Sequence, residues 1–223
     1  MEIRGEPIFD PDYPKVKPVY RAGEESEYDP RDQKILDFIA PWRGTRVFEP
    51  GAGDGRYTNP LLRQGNRVVA ADLDLGALFA LWALKIPAEL LPGLQLIKMD
   101  LFHPSFINGS FDNLLCTGTL YVFPPERLEG VFPEFARVLK PDGKLVLDFL
   151  TERHTESLSD DPLEGESLYQ YSYKQGREIL QGLLASQFNI KKITETLIDV
   201  MLTGEGTHYR LTGRKINVFA QRI

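Results

Sequence analysis

The sequence is poor in cysteine and histidine, and it lacks both an excess of positive charge and a long apolar run. A single cysteine in 223 residues excludes an intrachain disulfide and favours a reducing compartment. The net charge of −6 at pH 7 disfavours nucleic acid partners, which need a basic surface. No apolar run approaches the about 18 residues of a membrane span, and the first residues lack the apolar centre of a signal peptide. These absences predict a cytoplasmic protein that binds no membrane.

Apolar runs and helix-type segments alternate regularly between residues 35 and 150. Strands are predicted for the runs at 46–48, 67–74, 94–100, 110–118 and 144–150. Helices are predicted at 29–40, 56–62, 75–86 and 124–140, the first with Asp29 as its N-cap and Pro30 at its first position. This alternation indicates a parallel sheet covered by helices on both faces.

The segments on either side of this core are interpreted from their composition. Residues 1–28 are rich in proline and tyrosine, and two interpretations stay open: a flexible tail, or a lid packed over the active site. Residues 29–223 are predicted to form a single domain, in which 151–172 is an insertion at the ligand-binding edge of the sheet. Residues 173–223 are predicted to form a helix and a hairpin, whose paired runs are 189–201 and 215–223 with a loop between them.

A glycine-rich turn follows the first predicted strand. Glu49 closes the strand, and Gly51, Gly53 and Gly55 follow at alternate positions. Glycine allows a sharp turn and lets a ligand lie against bare backbone, and the next helix directs its amide groups into the same space. The spacing is not that of the dinucleotide fingerprint Gly-x-Gly-x-x-Gly, because Arg56 occupies the third glycine position. The pattern predicts a cradle of nucleotide size.

The turn resembles the first motif of the class I S-adenosylmethionine (SAM)-dependent methyltransferases with a methyltransferase-11/25-like domain. Further matches follow in the family's order: Asp72 after the second strand, Asp100 after the third, and Ser110-Phe-Asp before the fourth. The segment Ala136-Arg-Val-Leu-Lys-Pro-Asp-Gly143 then resembles the family's ARVLKPGG, with Asp142 in place of the first glycine. The resemblance covers residues 35–150. It implies a Rossmann-like, doubly wound, mostly parallel seven-stranded α/β sheet with an antiparallel C-terminal strand, and SAM as cofactor.

The resemblance also implies roles for individual residues. Asp72 would accept hydrogen bonds from both ribose hydroxyls, and Asp100 would accept one from the adenine amine. The hydroxyls and the amine are hydrogen-bond donors, which suit a carboxylate. Leu73 and Leu101 would enclose the adenine ring. Glu49 would meet the methionine amino group, directly or through water. For the aspartates the alternative is a helix cap or a solvated loop acid, and for Glu49 a structural carboxylate.

Residues near the transferred methyl group are harder to assign from sequence. The backbone at Thr117 is expected to line the methionine end, and Tyr121 is a candidate on the acceptor side whose alternative is a half-buried aromatic. His154 is the candidate general base, although its position and those of His103 and His208 do not form a metal-ligand pattern. Cys116 is interpreted as a buried structural thiol rather than a nucleophile. No metal site is predicted.

The predicted activity is transfer of a methyl group by in-line displacement to a small-molecule acceptor. SAM is already activated, so alignment and exclusion of water carry most of the catalysis, which explains the lack of a strong catalytic constellation. The tyrosine-rich segments suit a partly apolar or cationic acceptor. Two alternatives stay open: a SAM-binding sensor or partner subunit without activity, and an NAD(P)-dependent oxidoreductase. The acceptor, the atom methylated and the oligomeric state are not fixed by the sequence.

Overall fold

The computed structural model of the protein describes residues 32–53, 55–157, 169–204 and 207–223. The predicted arm at 1–28 and residues 158–168 of the predicted insertion lie outside the described residues. Within the described ranges, no helix has the length and apolar character needed to cross a membrane.

The described strands form one seven-stranded sheet in the order β3-β2-β1-β4-β5-β7-β6. Strands β1 to β5 run parallel, while β7 lies antiparallel between β5 and β6. The mostly parallel sheet with an antiparallel C-terminal strand confirms the fold predicted from the sequence. The strands are β1 Arg46–Pro50, β2 Arg67–Asp72, β3 Leu94–Lys98, β4 Phe111–Cys116, β5 Leu139–Ser157, β6 Phe188–Gly204 and β7 Thr207–Arg222.

Helices cover both faces of the sheet because both faces of its central strands are apolar. Helices α1 and α2 pack on one face, where Ile35, Leu61 and Phe219 belong to one buried cluster. Helices α4, α5 and α6 pack on the other face, where Phe135 and Leu180 belong to a second cluster. The α-helices are α1 Gln33–Ile39, α2 Thr58–Arg63, α3 Leu75–Ala80, α4 Pro125–Leu128, α5 Val131–Val138 and α6 Tyr173–Leu184.

The helix predictions are correct in place and wrong in three details. The N-cap of α1 is Asp32 rather than Asp29, since the Asp32 carboxylate accepts a hydrogen bond from the Lys34 amide at 2.9 Å. The helix predicted at 124–140 is two helices, because a turn at Glu129 and Gly130 interrupts the regular helical hydrogen bonding. The helix predicted at 75–86 changes at Leu81–Lys85 into a π-helical turn, and a 3₁₀ helix follows at Ala88–Gly93.

The antiparallel part of the sheet is longer than predicted. β5 continues past residue 150 to Ser157, and its last residues pair with β7, including His154 with Thr212. The loop predicted before residue 215 is also wrong, because β7 begins at Thr207 and pairs with β6 along its whole length. Pairing these polar segments in a hairpin satisfies the backbone hydrogen bonds that a loop would leave to water. The start of the predicted insertion is therefore strand.

Candidate cofactor site

The glycine-rich turn lies between β1 and α2 and is anchored on the tip of β2. The amides of Gly51 and Ala52 donate to the Ala71 carbonyl at 2.8 and 3.0 Å. Gly51, Gly53 and Gly55 all have positive φ angles, between 53° and 83°, which glycine adopts without steric cost. The alternate glycines predicted from the sequence therefore build one tight turn at the carboxyl ends of the parallel strands, the edge at which open α/β sheets bind ligands.

The three glycines serve two purposes. A Cβ atom at Gly51 would lie 2.1 Å from the Thr119 hydroxyl, and one at Gly55 would lie 2.0 Å from Leu81 Cδ1. These two positions need glycine because neighbouring side chains pack directly on the backbone. A Cβ atom at Gly53 would meet no described atom within 4 Å. The backbone of Gly53 therefore borders open space, as a cradle for a ligand requires.

Glu49 lies beneath the turn and is 4% exposed. Its Oε2 atom accepts a hydrogen bond from the Thr58 hydroxyl at 2.6 Å, which joins the end of β1 to the start of α2. This contact holds the turn on both sides. It also supports part of the structural alternative, since the carboxylate bonds the first residue of the helix that follows the turn, while contact with a methionine amino group stays a prediction.

Asp72 lies at the tip of β2 with its carboxylate facing the turn. Its Oδ2 atom accepts from the Gly53 amide at 2.8 Å, and its Oδ1 atom accepts from the Asp74 amide at 3.0 Å. Each carboxylate oxygen can accept a second hydrogen bond, so these contacts orient the side chain and leave acceptor capacity for a ligand. The predicted ribose-binding acid is thus brought against the glycine whose backbone borders open space.

Asp100 follows the next strand along the sheet edge. β2 and β3 pair through Asp72 and Lys98, and the Met99 amide donates to the Asp72 carbonyl at 3.0 Å. Asp100 is half-buried, and its Oδ1 atom accepts from the Phe102 amide at 2.9 Å. The two predicted acids therefore stand on adjacent strand tips. Leu73 is half-buried and Leu101 is buried, each directly after one of these acids.

The loop after β4 forms the other side of the site. The Thr119 hydroxyl bonds the Thr117 carbonyl at 3.0 Å and reaches the Gly51 carbonyl at 3.4 Å. Gly118 between them has a φ of +68°, and its amide donates to Asp148 Oδ1 at 2.6 Å. Thr117 therefore stands across from the glycine turn, as predicted from the position of β4 beside β1.

Asp148 is a residue of the site that sequence reasoning missed. It lies on β5, is 2% exposed, and its Oδ2 atom is 3.6 Å from the Lys215 ammonium. Asp148 stands in the apolar run Lys144-Leu-Val-Leu-Asp-Phe-Leu150, which by its sequence predicts only a strand. A charged residue inside such a run is the signal that could have found it, because a buried charge requires a partner.

The residues discussed for the methyl-transfer region differ in burial and in position. Tyr121 is half-buried in the short helix Leu120–Val122 after β4, and burial, with the charge of Asp148, raises the pKa of its hydroxyl. Cys116 is fully buried, as predicted, and burial raises the pKa of its thiol well above the usual value. His154 is exposed on the antiparallel extension of β5, six residues beyond Asp148. The structure brings Tyr121, but not His154, next to the loop that holds Thr117.

Comparison with known proteins finds similarity to methyltransferases. A family model described as a methyltransferase domain matches residues 48–147, from β1 to β5. The demethylmenaquinone methyltransferase of Renibacterium salmoninarum is 32% identical over 114 residues, which is 51% of this chain and 44% of that protein. The chain thus spans about half the length of the curated relatives it matches.

Solved structures share the fold over most of the chain. A SAM-dependent methyltransferase of Methanosarcina mazei superposes with a TM-score of 0.64 and 19% identity, covering 85% of this chain and 97% of that one. The glycopeptide N-methyltransferase MtfA, solved with SAM, gives a TM-score of 0.59 and 16% identity, covering 84% and 91%. The family match falls on the strands and turns that build the site, and the remaining elements complete the same sheet. Residues 48–147 therefore match a methyltransferase domain, and the described sheet has the fold of SAM-dependent methyltransferases.

Proposed function

We propose that the protein transfers a methyl group from SAM to a small, partly apolar acceptor. The observation that carries this proposal is the juxtaposition of the Gly53 backbone, which borders open space, with Asp72 and Asp100 on adjacent strand tips. Bare backbone gives room for a ligand, while the two carboxylates match the hydroxyl and amine donors of an adenosine. The relative from Renibacterium and the SAM-bound structure of MtfA support the same chemistry.

The donor set fits SAM in each part of the site. Asp72 would hold the ribose and Asp100 the adenine amine, with Leu73 and Leu101 beside the ring. Glu49 and the loop at Thr117 would hold the methionine end. When bound, SAM would supply a methyl group already activated by the positive sulfur. The chain's own residues would then contribute binding, alignment and exclusion of water.

Tyr121 is the residue proposed for the acceptor side. Its raised pKa keeps the hydroxyl protonated at neutral pH, so it would donate a hydrogen bond to the acceptor rather than remove a proton. His154 stays a prediction from sequence as the general base, and its exposed place on β5 gives it no support.

Aromatic side chains near this edge support a partly apolar acceptor. The Phe102 and Phe123 rings pack edge to face with centroids 4.8 Å apart, and Arg127 lies over Phe102 at 4.5 Å. Tyr171 donates to the Phe123 carbonyl at 2.5 Å and thereby ties the segment before α6 to the loop after β4. Phe102 is half-buried and Phe123 is only 1% exposed, so Phe102 is the ring of this pair with surface at the rim, where a flat ring provides apolar contact area without much loss of conformational entropy.

Binding measurements test the cofactor assignment first. Calorimetric titration should show binding of SAM and S-adenosylhomocysteine and no binding of NADH. Binding of NADH instead would favour the oxidoreductase alternative. Asp72→Ala should weaken SAM binding about tenfold or more, because it removes a charged acceptor worth about 1.5–3 kcal/mol. The matched control is Asp74→Ala, which removes only the N-cap that accepts from the Gly76 amide at 2.7 Å. Unchanged SAM affinity in Asp72→Ala would contradict the placement of the ribose.

Activity is tested separately. SAM labelled in its methyl group is incubated with the protein and with fractionated small-molecule extracts, and label transferred to a new compound supports the proposal. Binding of SAM without transfer to any fraction would favour the sensor or partner-subunit alternative.

A further inference from the structure

A cluster of charged and polar side chains is buried between α1 and the strands β5, β6 and β7. Its members, called here the polar cluster, are Asp32, Asp148, Lys215, Asn217 and Thr196. The Lys215 ammonium lies 3.6 Å from Asp148 Oδ2 and 4.0 Å from Asp32 Oδ2. Asp32 Oδ2 also accepts from the Thr196 hydroxyl at 2.6 Å and from the Asn217 amide at 3.1 Å. Two carboxylates thus share one ammonium group.

Packing alone does not explain this arrangement. Asp32, Asp148 and Lys215 are each less than 9% exposed, and removing an ion from water costs several kcal/mol, which a buried pair often fails to recover. Apolar side chains of the same size would hold β5, β7 and α1 together at least as well. The contacts that leave the cluster indicate what else it does.

One contact leads to the loop after β4. Asp148 Oδ1 accepts from the Gly118 amide at 2.6 Å, and Gly118 has the left-handed φ of +68°. This bond fixes the direction in which Thr117 and Thr119 leave the strand, and Thr119 in turn reaches the Gly51 carbonyl at 3.4 Å. The carboxylate is itself held by Lys215, so the loop is oriented by a side chain that has little freedom to move.

A second contact leads to the glycine turn. The Asp32 amide donates to the Tyr57 hydroxyl at 2.8 Å, and Tyr57 is fully buried. The next residue, Thr58, donates to Glu49 beneath the turn. The polar cluster therefore bonds, through Asp148 and through Tyr57, to both sides of the part of the site that is assigned to the methionine end.

We propose that Asp148 is a positioning residue for the amino-acid end of the cofactor, and that the polar cluster holds it in place. The inference rests on the proposed function, since it assumes that the site binds SAM. It concerns only half of the ligand, because Asp72 on the adenosine side is oriented by the amides of Gly53 and Asp74 instead. Positioning of this kind acts by keeping the loop in its binding conformation before the ligand arrives.

Binding of two ligands tests the adenosine side and the amino-acid side of the site separately. S-adenosylhomocysteine contains the adenosine and the amino acid, whereas 5′-methylthioadenosine contains the same adenosine and thioether without the amino acid. In Asp148→Ala we expect affinity for S-adenosylhomocysteine to fall about tenfold, the effect of one charged hydrogen bond, while affinity for 5′-methylthioadenosine stays within about twofold. Asp148→Asn keeps an oxygen that can accept from Gly118 and should recover most of the loss. Both affinities are measured by calorimetry.

The control is Asp72→Ala, which should weaken both ligands alike because both contain the ribose. If Asp148→Ala does not fold, Thr119→Val removes the hydroxyl that links the loop to Gly51 while keeping its size, and should show the same selectivity. Equal weakening of both ligands, or of neither, in the folded variants would overturn the positioning role. If the unaltered protein binds neither ligand, the proposed function fails and this inference fails with it.

Discussion

Two pairs of aspartates serve the same region in different ways. Asp72 and Asp100 are half-buried at strand tips, and backbone amides orient them. Asp32 and Asp148 are buried, and they share the ammonium of Lys215. The first pair keeps acceptor capacity on an accessible edge and so suits a ligand. The second pair has its charge compensated within the protein and so suits the support of the loops around that ligand. Whether an acid near a binding site suits ligand binding or structural support therefore depends on whether its charge is already compensated within the protein.

The largest expected effect is a loss of stability when the buried aspartates lose the ammonium group that they share. Lys215→Met keeps the length of the side chain and leaves two buried carboxylates without their cation, so we expect the free energy of unfolding to fall by about 3–5 kcal/mol. The matched control is Lys140→Met, because Lys140 pairs with Asp112 at 2.6 Å on an exposed surface, where such pairs contribute about 0–1 kcal/mol. Urea unfolding measures both variants. Similar losses in the two would show that burial does not distinguish them.

A second prediction compares two glycines of the same turn. Alanine at either position adopts a left-handed conformation at a cost of about 1–2 kcal/mol. Gly51→Ala should lose more stability than Gly53→Ala, because Thr119 Cβ also lies 2.9 Å from the new methyl group and rotation of Thr119 cannot relieve the overlap. Gly53→Ala should instead lose SAM affinity by at least about tenfold, since its methyl group projects into the space that a ligand would occupy.

Thermal unfolding and SAM titration of both glycine variants check this prediction. A Gly53→Ala protein that binds SAM with normal affinity would show that the cofactor does not lie against this backbone.

The elements that the sequence predicts correctly have local signals. The glycine turn and Asp72 are each readable within a few residues, because a strand, a turn and a terminal acid follow one another along the chain. The polar cluster as a whole has no such signal: the charge of Asp148 within an apolar run indicates only that it needs a partner, and its partners come from distant segments that only the completed sheet brings together.

The other errors have the same origin. The sequence predicts the N-cap of α1 at the first acid of its segment, whereas Asp32 is selected by its tertiary contacts with Thr196 and Asn217. The sequence predicts an insertion at the end of β5 and a loop at the start of β7, whereas pairing between these two strands decides their conformation. Predictions from sequence therefore succeed where one segment contains the whole signal.

The smallest expected effect is a dependence of stability on pH that is specific to Asp32. Burial alone would raise the pKa of this carboxyl, but hydrogen bonds from Thr196, the Lys34 amide and Asn217, together with the charge of Lys215, lower its pKa below the usual 3.8. A lowered pKa in the folded state means that the ionised form stabilises the protein above pH 3.8 and that this contribution is lost as the pH falls through the folded value. The difference in unfolding free energy between the unaltered protein and Asp32→Asn should therefore be constant near neutral pH and shrink below pH 3.8. Thr196→Val removes one of the hydrogen bonds and raises the folded pKa of Asp32 toward 3.8, so it should reduce the total shrinkage and end it at a higher pH. Urea unfolding at a series of pH values measures both, and a difference that stays constant through the acid range would show that folding does not lower the pKa of Asp32.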